Sequence, residues 1–216
     1  HPNEFGVAGI AANNSVDLIE DQVRRFHPRC VALNDEVCAN ELKYRLKDLK
    51  STEVYAGPEG ILTVATMDEV DLVLEGIGGS AGLLPTLEAI KSGKDLAFVN
   101  KEVLVMCGSL VMQAVQEYGV RLLPVDSEMS AIFQCLSDRH DTIQKRHEIH
   151  RLVLTASGGP FRHSDLEQLN SVIPKEALNH PSWNMGNKVT IDSATMMNKG
   201  LEVIEAQWLF NIEQSK

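Results

Sequence analysis

The sequence lacks the features that would make it a membrane, secreted or disulfide-bonded protein. No apolar run in its 216 residues is long enough to span a bilayer. Residues 1–5 have neither the basic nor the apolar segment of a signal peptide. No two of the four cysteines form a C-x-x-C pair, so neither a zinc site nor a redox pair is indicated. We therefore expect core thiols in a reducing cytoplasm.

Basic residues are scarce. The chain has 20 Lys and Arg against 30 Asp and Glu, which gives a formal net charge of −10. Nucleic acids and anionic membranes require a basic face, so neither is an expected partner. An anionic ligand would need local donors rather than an overall positive charge.

The glycine-rich phosphate loop that often follows a first strand is also missing. Short β patterns still alternate with helical patterns as far as residue 125. We predict strands at residues 5–12, 30–33, 53–56, 71–77, 95–99 and 120–125, and helices at residues 16–26, 36–49, 60–67, 81–92 and 102–118. This alternation predicts an α/β fold: a Rossmann-like, doubly wound parallel sheet with helices on both faces.

Ligands of such sheets bind beyond the carboxyl ends of the strands. The loops at those ends are residues 12–15, 76–82, 100–102 and 126–128, and all are polar or glycine-rich. The 76–82 loop could cradle a phosphate or simply be a tight turn. The simpler account is that the first strand of the fold, with its glycine loop, precedes His1.

A second domain is predicted after residue 125, giving domains 1–125 and 126–216, the latter α+β. Residues 137–151 are highly charged and predict a solvated linker, in which His140, His147 and His150 are not expected to bind metal. From Leu152 we predict a strand ending at residues 157–160, then short helices at 165–169 and 174–178, then a non-periodic loop at 180–186.

The stretch 189–205 holds polar residues at spacings that could form one site. It predicts a short strand at 189–191 and then a helix capped by Asp192 or Ser193. Asn198, Lys199 and Glu202 lie three and four residues apart, on one helix face. The stretch is either a phosphate site at a helix N-terminus with Glu202 as a metal ligand, or a surface helix with a Glu–Lys pair.

Two more carboxylates follow the predicted strand at 120–125. Asp126 and Glu128 are two residues apart, so on a strand they face the same way and could share one cation. With Glu202 they form an all-oxygen set, which suits Mg²⁺ or Mn²⁺ better than zinc. Alternatively, Asp126 and Glu128 merely cap the next helix.

Several single residues allow two interpretations. Ser157 lies on a Gly-Gly turn that is either an anion site or an ordinary tight turn. His180 precedes Pro181 in a loop and could be incidental. Trp183 could belong to a core or to a lid that excludes water. Lys101 begins a helix, where the dipole disfavours a cation, which indicates function or plain solvent exposure.

Seven motifs occur in an order typical of one family: G-S-A-G-L-L-P-T (79–86), N-K-E (100–102), L-P-V-D-S-E (123–128), A-I-F-Q (131–134), T-A-S-G-G-P-F (155–161), H-P-S-W-N-M-G (180–186) and D-S-A-T-M-M-N-K-G-L-E (192–202). With them the chain resembles the 1-deoxy-D-xylulose 5-phosphate reductoisomerase family nearly end to end. That family makes 2-C-methyl-D-erythritol 4-phosphate in non-mevalonate isoprenoid biosynthesis. The resemblance implies an NADPH-dependent oxidoreductase that needs Mn²⁺, Mg²⁺ or Co²⁺ and acts in the cytoplasm or a plastid.

The resemblance also implies residue roles. Domain 1–125 would bind NADPH, and domain 126–216 would bind metal and the phosphosugar substrate. The metal ligands would be Asp126, Glu128 and Glu202. The substrate would contact Lys101, Ser127, Glu128, Ser157, His180, Trp183, Ser193, Asn198, Lys199 and Glu202, with Lys101 at its reacting end. The cofactor would contact Asn13, Asn14, Ser15, Asn100, Glu102 and Gly186.

The chain departs from the family pattern in two places. Met129 stands where most relatives have a His, and it cannot make that residue's hydrogen bonds. Residues 12–15 contain no Arg or Lys, so NADPH rather than NADH is implied by the family alone.

The resemblance also implies parts beyond this sequence. The family's G-S-T-G-S-I-G loop is expected before His1, a helical domain after Lys216, and a homodimer for the complete protein. The alternatives are a non-catalytic homologue that binds a phosphosugar or a partner, and a metal-dependent isomerase without hydride transfer.

Overall fold

A computed structural model describes residues 1, 3–137, 149–213 and 215–216. The chain divides into two compact units. The first comprises His1–Val103 and Leu110–Leu123, and the second comprises Leu104–Ser109 and Pro124–Lys216. His140 and His147 lie outside the described residues.

The first unit alternates strands and helices. Its elements in chain order are β1 (Gly9–Ala12), α1 (Val16–Phe26), β2 (Cys30–Leu33), α2 (Glu36–Arg45), β3 (Glu53–Ala56), α3 (Gly57–Ala65), β4 (Leu72–Glu75), a 3-10 turn (Gly79–Gly82), α4 (Leu83–Lys91), β5 (Asp95–Phe98), α5 (Lys101–Tyr118) and β6 (Leu122–Pro124). The α/β class is therefore confirmed.

The strands form two three-stranded sheets, in the orders β1-β2-β3 and β4-β5-β6. The pairs β1–β2, β2–β3 and β4–β5 are parallel. In each ladder the strands follow one another in chain order. Backbone pairing between β1 and β4 is not seen among the described residues, so the single continuous sheet that we predicted is present as two ladders.

Burial explains why the strands were recognisable. All four residues of β2 are buried, as expected for a central parallel strand covered on both faces. Its Val31 and Leu33 pack with Val16, Ile19 and Val23 of α1 in one apolar cluster. The predicted ends of elements were less accurate: the strand predicted at 5–12 begins at Gly9, and the helix predicted at 36–49 ends at Arg45.

The second unit is built from helices and irregular segments. Its helices are α6 (Ser127–Ser137), α7 (Leu166–Leu169), α8 (Pro174–Ala177), α9 (Asn187–Ala194) and α10 (Met197–Phe210). The predicted strand from Leu152 was wrong, because residues 151–159 have no regular structure. Leu152 and Leu154 instead pack on the apolar cluster between α6 and α10. A short apolar run therefore indicated burial correctly but not its backbone conformation.

The strand predicted at 189–191 was also wrong, since these residues lie inside α9. The amide and hydroxyl of Thr190 both donate to the Gly186 carbonyl, at 3.0 and 2.9 Å, within that helix. Asp192 and Ser193 are in the last turn of α9, so they do not cap the helix that follows. The residue before α10 is Met196, which has a left-handed φ of 60°.

The apolar cluster between α6 and α10 positions both helices. It contains Met129 and Ile132 of α6 with Ala206 and Phe210 of α10. Glu128 and Glu202 precede these residues by one and four positions, so the same packing places the two carboxylates near each other. In the described part of the chain, no helix has both the length and the apolar character that a membrane span requires.

Candidate metal and substrate site

Asp126, Glu128 and Glu202 form the centre of the site. Each contributes a carboxylate oxygen, and the three oxygens lie within 4.8 Å of one another. The residues converge as predicted, but by a different route. Asp126 precedes α6 and accepts the Ser127 amide at 3.0 Å, while Glu128 lies in the first turn of α6. A helix start rather than strand alternation therefore brings the two carboxylates together with Glu202.

Glu202 is fully buried, at 0% exposure. A buried carboxylate is costly unless it is paired and hydrogen-bonded. Its Oε1 accepts from Asn198 Nδ2 at 2.5 Å, and its Oε2 forms an ion pair with Lys199. The i,i+4 and i,i+3 spacings seen in the sequence therefore produce real contacts on α10.

Lys199 links the helices of the site. Its ammonium donates to Glu128 Oε1 at 3.0 Å, to the Thr155 carbonyl at 2.5 Å and to Glu202. Burial by itself raises the pKa of Glu128, but hydrogen bonds from Ser127 and Lys199 outweigh burial and hold that pKa below its usual value. Glu128 is therefore ionised at neutral pH.

The donor set fits a divalent cation. Three carboxylates carry a formal charge of −3, and Lys199 offsets one unit of it. Oxygen ligands suit Mg²⁺ and Mn²⁺. The residues present therefore match the metal implied by the resemblance.

The Ser157 turn lies beside this cluster. Gly158 and Gly159 both have positive φ, at 81° and 67°. The Ser157 hydroxyl oxygen is 3.0 Å from His180 Nε2 and accepts the Gly159 amide at 3.3 Å. His180 Nδ1 accepts the backbone amides of Ser182 and Trp183, at 3.2 and 2.9 Å.

These contacts assign the proton positions. Because His180 Nδ1 accepts, the proton of the neutral ring is on Nε2, which donates to Ser157. The Ser157 oxygen thus receives two donors, and its own O–H remains available to donate to a ligand. The turn therefore offers one hydroxyl donor, and its role as an anion site stays a prediction.

A cavity of about 30 Å³ is lined by both the Ser157 turn and Glu128, one of the three carboxylates. Its lining contains five residues that we predicted as substrate contacts and three neighbours: Glu128, Ser157, Ser193, Asn198 and Lys199, with Ala156, Gly158 and Met196. Ser127 lies at the same place, with its hydroxyl donating to Glu128 Oε2 at 2.6 Å. Trp183 is 66% exposed, so a core role for it is excluded.

The predicted cofactor residues lie in both units. Asn13 follows β1, and its side-chain oxygen accepts from Asn34 Nδ2 at 3.2 Å. Asn14 and Ser15 complete the turn into α1. Asn100 caps α5, while Lys101 and Glu102 start it, and Lys101 is buried rather than solvent-exposed. Gly186 is the N-cap residue of α9 in the second unit.

The sequence analysis missed two contributors to this site and one buried acid in the first unit. The Thr155 carbonyl accepts from Lys199 at 2.5 Å, and no sequence signal identifies a backbone acceptor. Met196 lines the cavity at the strained joint between α9 and α10. Glu75 is a buried acid at the end of β4, and a lone Glu in an otherwise apolar strand was the available signal.

We expect Gly159→Ala to destabilise the second unit by about 2–4 kcal/mol. Its φ of 67° is unfavourable for alanine, and the new Cβ would lie 2.6 Å from the Ser193 carbonyl oxygen, which is backbone and cannot rotate away. Urea unfolding measures the change. Gly200→Ala, on α10 with no atom within 4 Å of its Cβ, is the control and should not destabilise. Equal stability of the two variants would contradict the close approach.

Met129 packs in the apolar cluster and is 0% exposed. We expect Met129→His, which restores the commoner family residue, to cost about 1–3 kcal/mol, because an imidazole N–H would be buried among apolar side chains. Met129→Leu conserves volume and should cost less than about 1.5 kcal/mol. Thermal unfolding compares the two. A histidine variant as stable as the leucine variant would mean that a polar partner receives the ring.

The two units define a class of protein: an α/β fold with parallel sheets whose second unit holds three clustered carboxylates and a Gly-Gly turn at Ser157. The reductoisomerase resemblance can now be tested directly. The family model for 1-deoxy-D-xylulose 5-phosphate reductoisomerase matches residues 1–108. The model for the C-terminal domain of 1-deoxy-D-xylulose 5-phosphate reductoisomerase matches residues 122–210. The chain belongs to the 1-deoxy-D-xylulose 5-phosphate reductoisomerase family.

Individual relatives agree with this assignment. The chain is 50% identical over 216 residues to the 1-deoxy-D-xylulose 5-phosphate reductoisomerase of Prosthecochloris aestuarii, covering 100% of the chain and 55% of the relative. A crystal structure of DOX-P reductoisomerase in complex with NADPH, fosmidomycin and magnesium matches with a TM-score of 0.92 and 39% identity, over 100% of this chain and 54% of that one. The enzyme from Zymomonas mobilis in complex with NADPH matches with a TM-score of 0.88 and 42% identity, over 99% and 53%. The chain spans about half the length of the curated relatives it matches.

Proposed function

We propose that the protein containing this chain converts 1-deoxy-D-xylulose 5-phosphate to 2-C-methyl-D-erythritol 4-phosphate, using NADPH and a divalent cation. The observation that carries the proposal is the group of three carboxylates within 4.8 Å, joined by one cavity to the Ser157 turn. Relatives with the same fold bind NADPH and magnesium. The chain thus combines a cation site and an anion site, as a metal-dependent phosphosugar enzyme requires.

Asp126, Glu128 and Glu202 would hold the cation, which when bound polarises a carbonyl and stabilises developing negative charge. Lys199 and Asn198 keep the Glu202 carboxylate oriented toward the other two. Ser157, held by His180, would donate its O–H to a substrate oxygen. Ser193 adds a hydroxyl at the same cavity, and the Ser127 hydroxyl donates to Glu128 beside it.

The phosphate of the substrate takes no part in bond making. Its binding at the Ser157 turn would hold the reacting end in register. Trp183, exposed in the 180–186 loop, would close over the substrate and exclude water. Lys101 would approach the reacting end, and Asn13, Asn14, Ser15, Asn100, Glu102 and Gly186 would contact NADPH.

We further propose that the complete protein is a homodimer and that it acts in the cytoplasm or a plastid. The four cysteines are free thiols, as suits a reducing compartment. Neither nucleic acid nor a membrane is a proposed partner, given the net charge of −10.

The test is an NADPH oxidation assay on the complete protein with deoxyxylulose phosphate. We expect turnover with Mn²⁺ or Mg²⁺ and none after chelation. Product analysis should show the rearranged carbon skeleton. Phosphosugar binding without NADPH oxidation would favour a non-catalytic homologue instead, and a rearranged but unreduced product would indicate an isomerase without hydride transfer.

A further inference from the structure

Glu75 is a buried acid that the proposed reaction does not use. It is the last residue of β4 and is 3% exposed. Its Oε1 accepts the Ile77 amide at 3.0 Å. Its Oε2 is buried and has no hydrogen-bond partner among the residues the structure describes. One oxygen of this carboxyl group thus accepts a hydrogen bond, and the other accepts none from the described residues.

Glu75 lies against a tight turn and the side chain of Asn100. The Asn100 amide donates to the carbonyls of Ile77 and Gly79, the latter at 3.0 Å, and also hydrogen-bonds Glu75. Its Oδ1 accepts the Val103 amide at 3.3 Å, which caps α5. One side chain therefore joins the 76–82 turn to the start of α5.

Gly82 shows how closely these groups pack. A Cβ at this position would lie 2.5 Å from the Ile77 carbonyl oxygen and 2.6 Å from Glu75 Oε1. Its φ of −76° is ordinary, so contact rather than backbone conformation requires glycine. The turn, Glu75 and Asn100 therefore form one tightly packed group.

The surroundings of Glu75 disfavour its charge. Burial raises the pKa of Glu75 to about 7, although hydrogen bonds from Ile77 and Asn100 lower it, and the nearby Glu102 carboxylate raises it further. Residues 76–82 and 97–99 contribute no ionisable side chain, so Glu102 of α5 is the charged group facing Glu75 in the part of the chain described.

We propose that Glu75 is a positioning residue that holds the 76–82 turn and Asn100 tightly while it carries a proton, and loosens both when it ionises. That this affects NADPH rests on the proposed function, in which Asn100 contacts the cofactor.

The direction of the pH effect on turn opening follows from the linkage between protonation and packing. The packed state prefers the proton, so ionisation favours the open turn, where the carboxyl group meets water. With pKa values of about 7 packed and 4.5 open, the opening equilibrium should increase about tenfold between pH 6 and pH 8. Below pH 4.5 the turn is most stable, and above pH 7 the loss is nearly complete.

The experiment is hydrogen exchange of the full chain at pH 6, 7 and 8, corrected for the intrinsic pH dependence of exchange. The readouts are the amides of residues 76–82 and Val103. We expect protection to fall about tenfold over this range in the unmodified chain and to stay constant in Glu75→Gln. Glu117→Gln, on the exposed face of α5, is the control and should behave like the unmodified chain.

NADPH titration of the complete protein at the same pH values, with and without Glu75→Gln, separates the two proposals. We expect the ratio of the dissociation constants of the unmodified chain and Glu75→Gln to rise with pH. Protection that is independent of pH in the unmodified chain would overturn the role of Glu75 in the turn. A pH-dependent turn with an unchanged ratio would overturn only its effect on NADPH. If neither protein binds NADPH while the exchange slope persists, the role of Glu75 in the turn is supported and the cofactor assignment fails.

Discussion

Replacing Glu202 by glutamine is expected to weaken Mn²⁺ binding by at least about 100-fold. Loss of a residue that only supports a ligand costs about 10–100-fold, and Glu202 is itself one of the three carboxylates. In the complete protein, metal-dependent turnover should fall by orders of magnitude. Glutamine keeps the volume and one acceptor oxygen but removes the charge, so the change isolates electrostatics.

The control for this variant is Glu205→Gln. Glu205 is as buried as Glu202 and lies one turn further along α10, but it is outside the three-carboxylate group. Mn²⁺ titration of the folded fraction of each variant compares ligand loss with loss of a buried acid in general. Near-unmodified Mn²⁺ affinity in Glu202→Gln would remove this residue from the cation site.

Replacing Lys199 by methionine is expected to destabilise the metal-free protein by about 3–5 kcal/mol, the cost of breaking a buried ion pair from one side. Lys199 is 16% exposed, and its partners Glu128 and Glu202 are 20% and 1% exposed. Without the ammonium, the formal charge of the cluster is uncompensated. Methionine preserves the apolar stem, so packing changes little.

Metal should reverse this loss. The variant lacks the cation that competes for Glu128 and Glu202, so Mn²⁺ should bind more tightly and stabilise the fold by linkage. Urea unfolding with and without Mn²⁺ measures both effects. Lys188→Met is the matched control. Lys188 pairs with Asp192 but is itself 60% exposed, and an exposed ion pair contributes about 0–1 kcal/mol. A cost below about 1 kcal/mol for Lys199→Met would mean that the carboxylates do not depend on it.

Residue patterns predicted the first unit better than the second. The strands at 30–33 and 53–56 have the predicted bounds, because each is a short β-type run between polar turns and pairs with a parallel neighbour. In the second unit the run at 189–191 is entirely β-branched, which favours a strand, but it lies in a helix. A three-residue run cannot distinguish the two states, and a strand also needs a neighbouring strand, which composition does not supply.

The site was likewise predicted in part. Residue type identified the three carboxylates and the Ser157 turn as candidates, because only certain side chains bind cations or anions. The route to their convergence was mispredicted, since Asp126 and Glu128 align at a helix start. Met129 looked like the loss of a hydrogen bond, whereas its burial shows a packing role.

By itself, the sequence determined the α/β class, the family resemblance and the kinds of side chain available for chemistry, since these depend on local pattern and residue type. Only the tertiary structure decided which groups meet. The 4.8 Å cluster, the ammonium of Lys199 among three oxygens and the hydrogen-bonded Ser157–His180 pair join segments far apart in the chain. Glu75 likewise acquires its raised pKa only from burial against Asn100 and the 76–82 turn. Distances and desolvation arise from packing between distant residues, and packing is what a linear pattern does not specify.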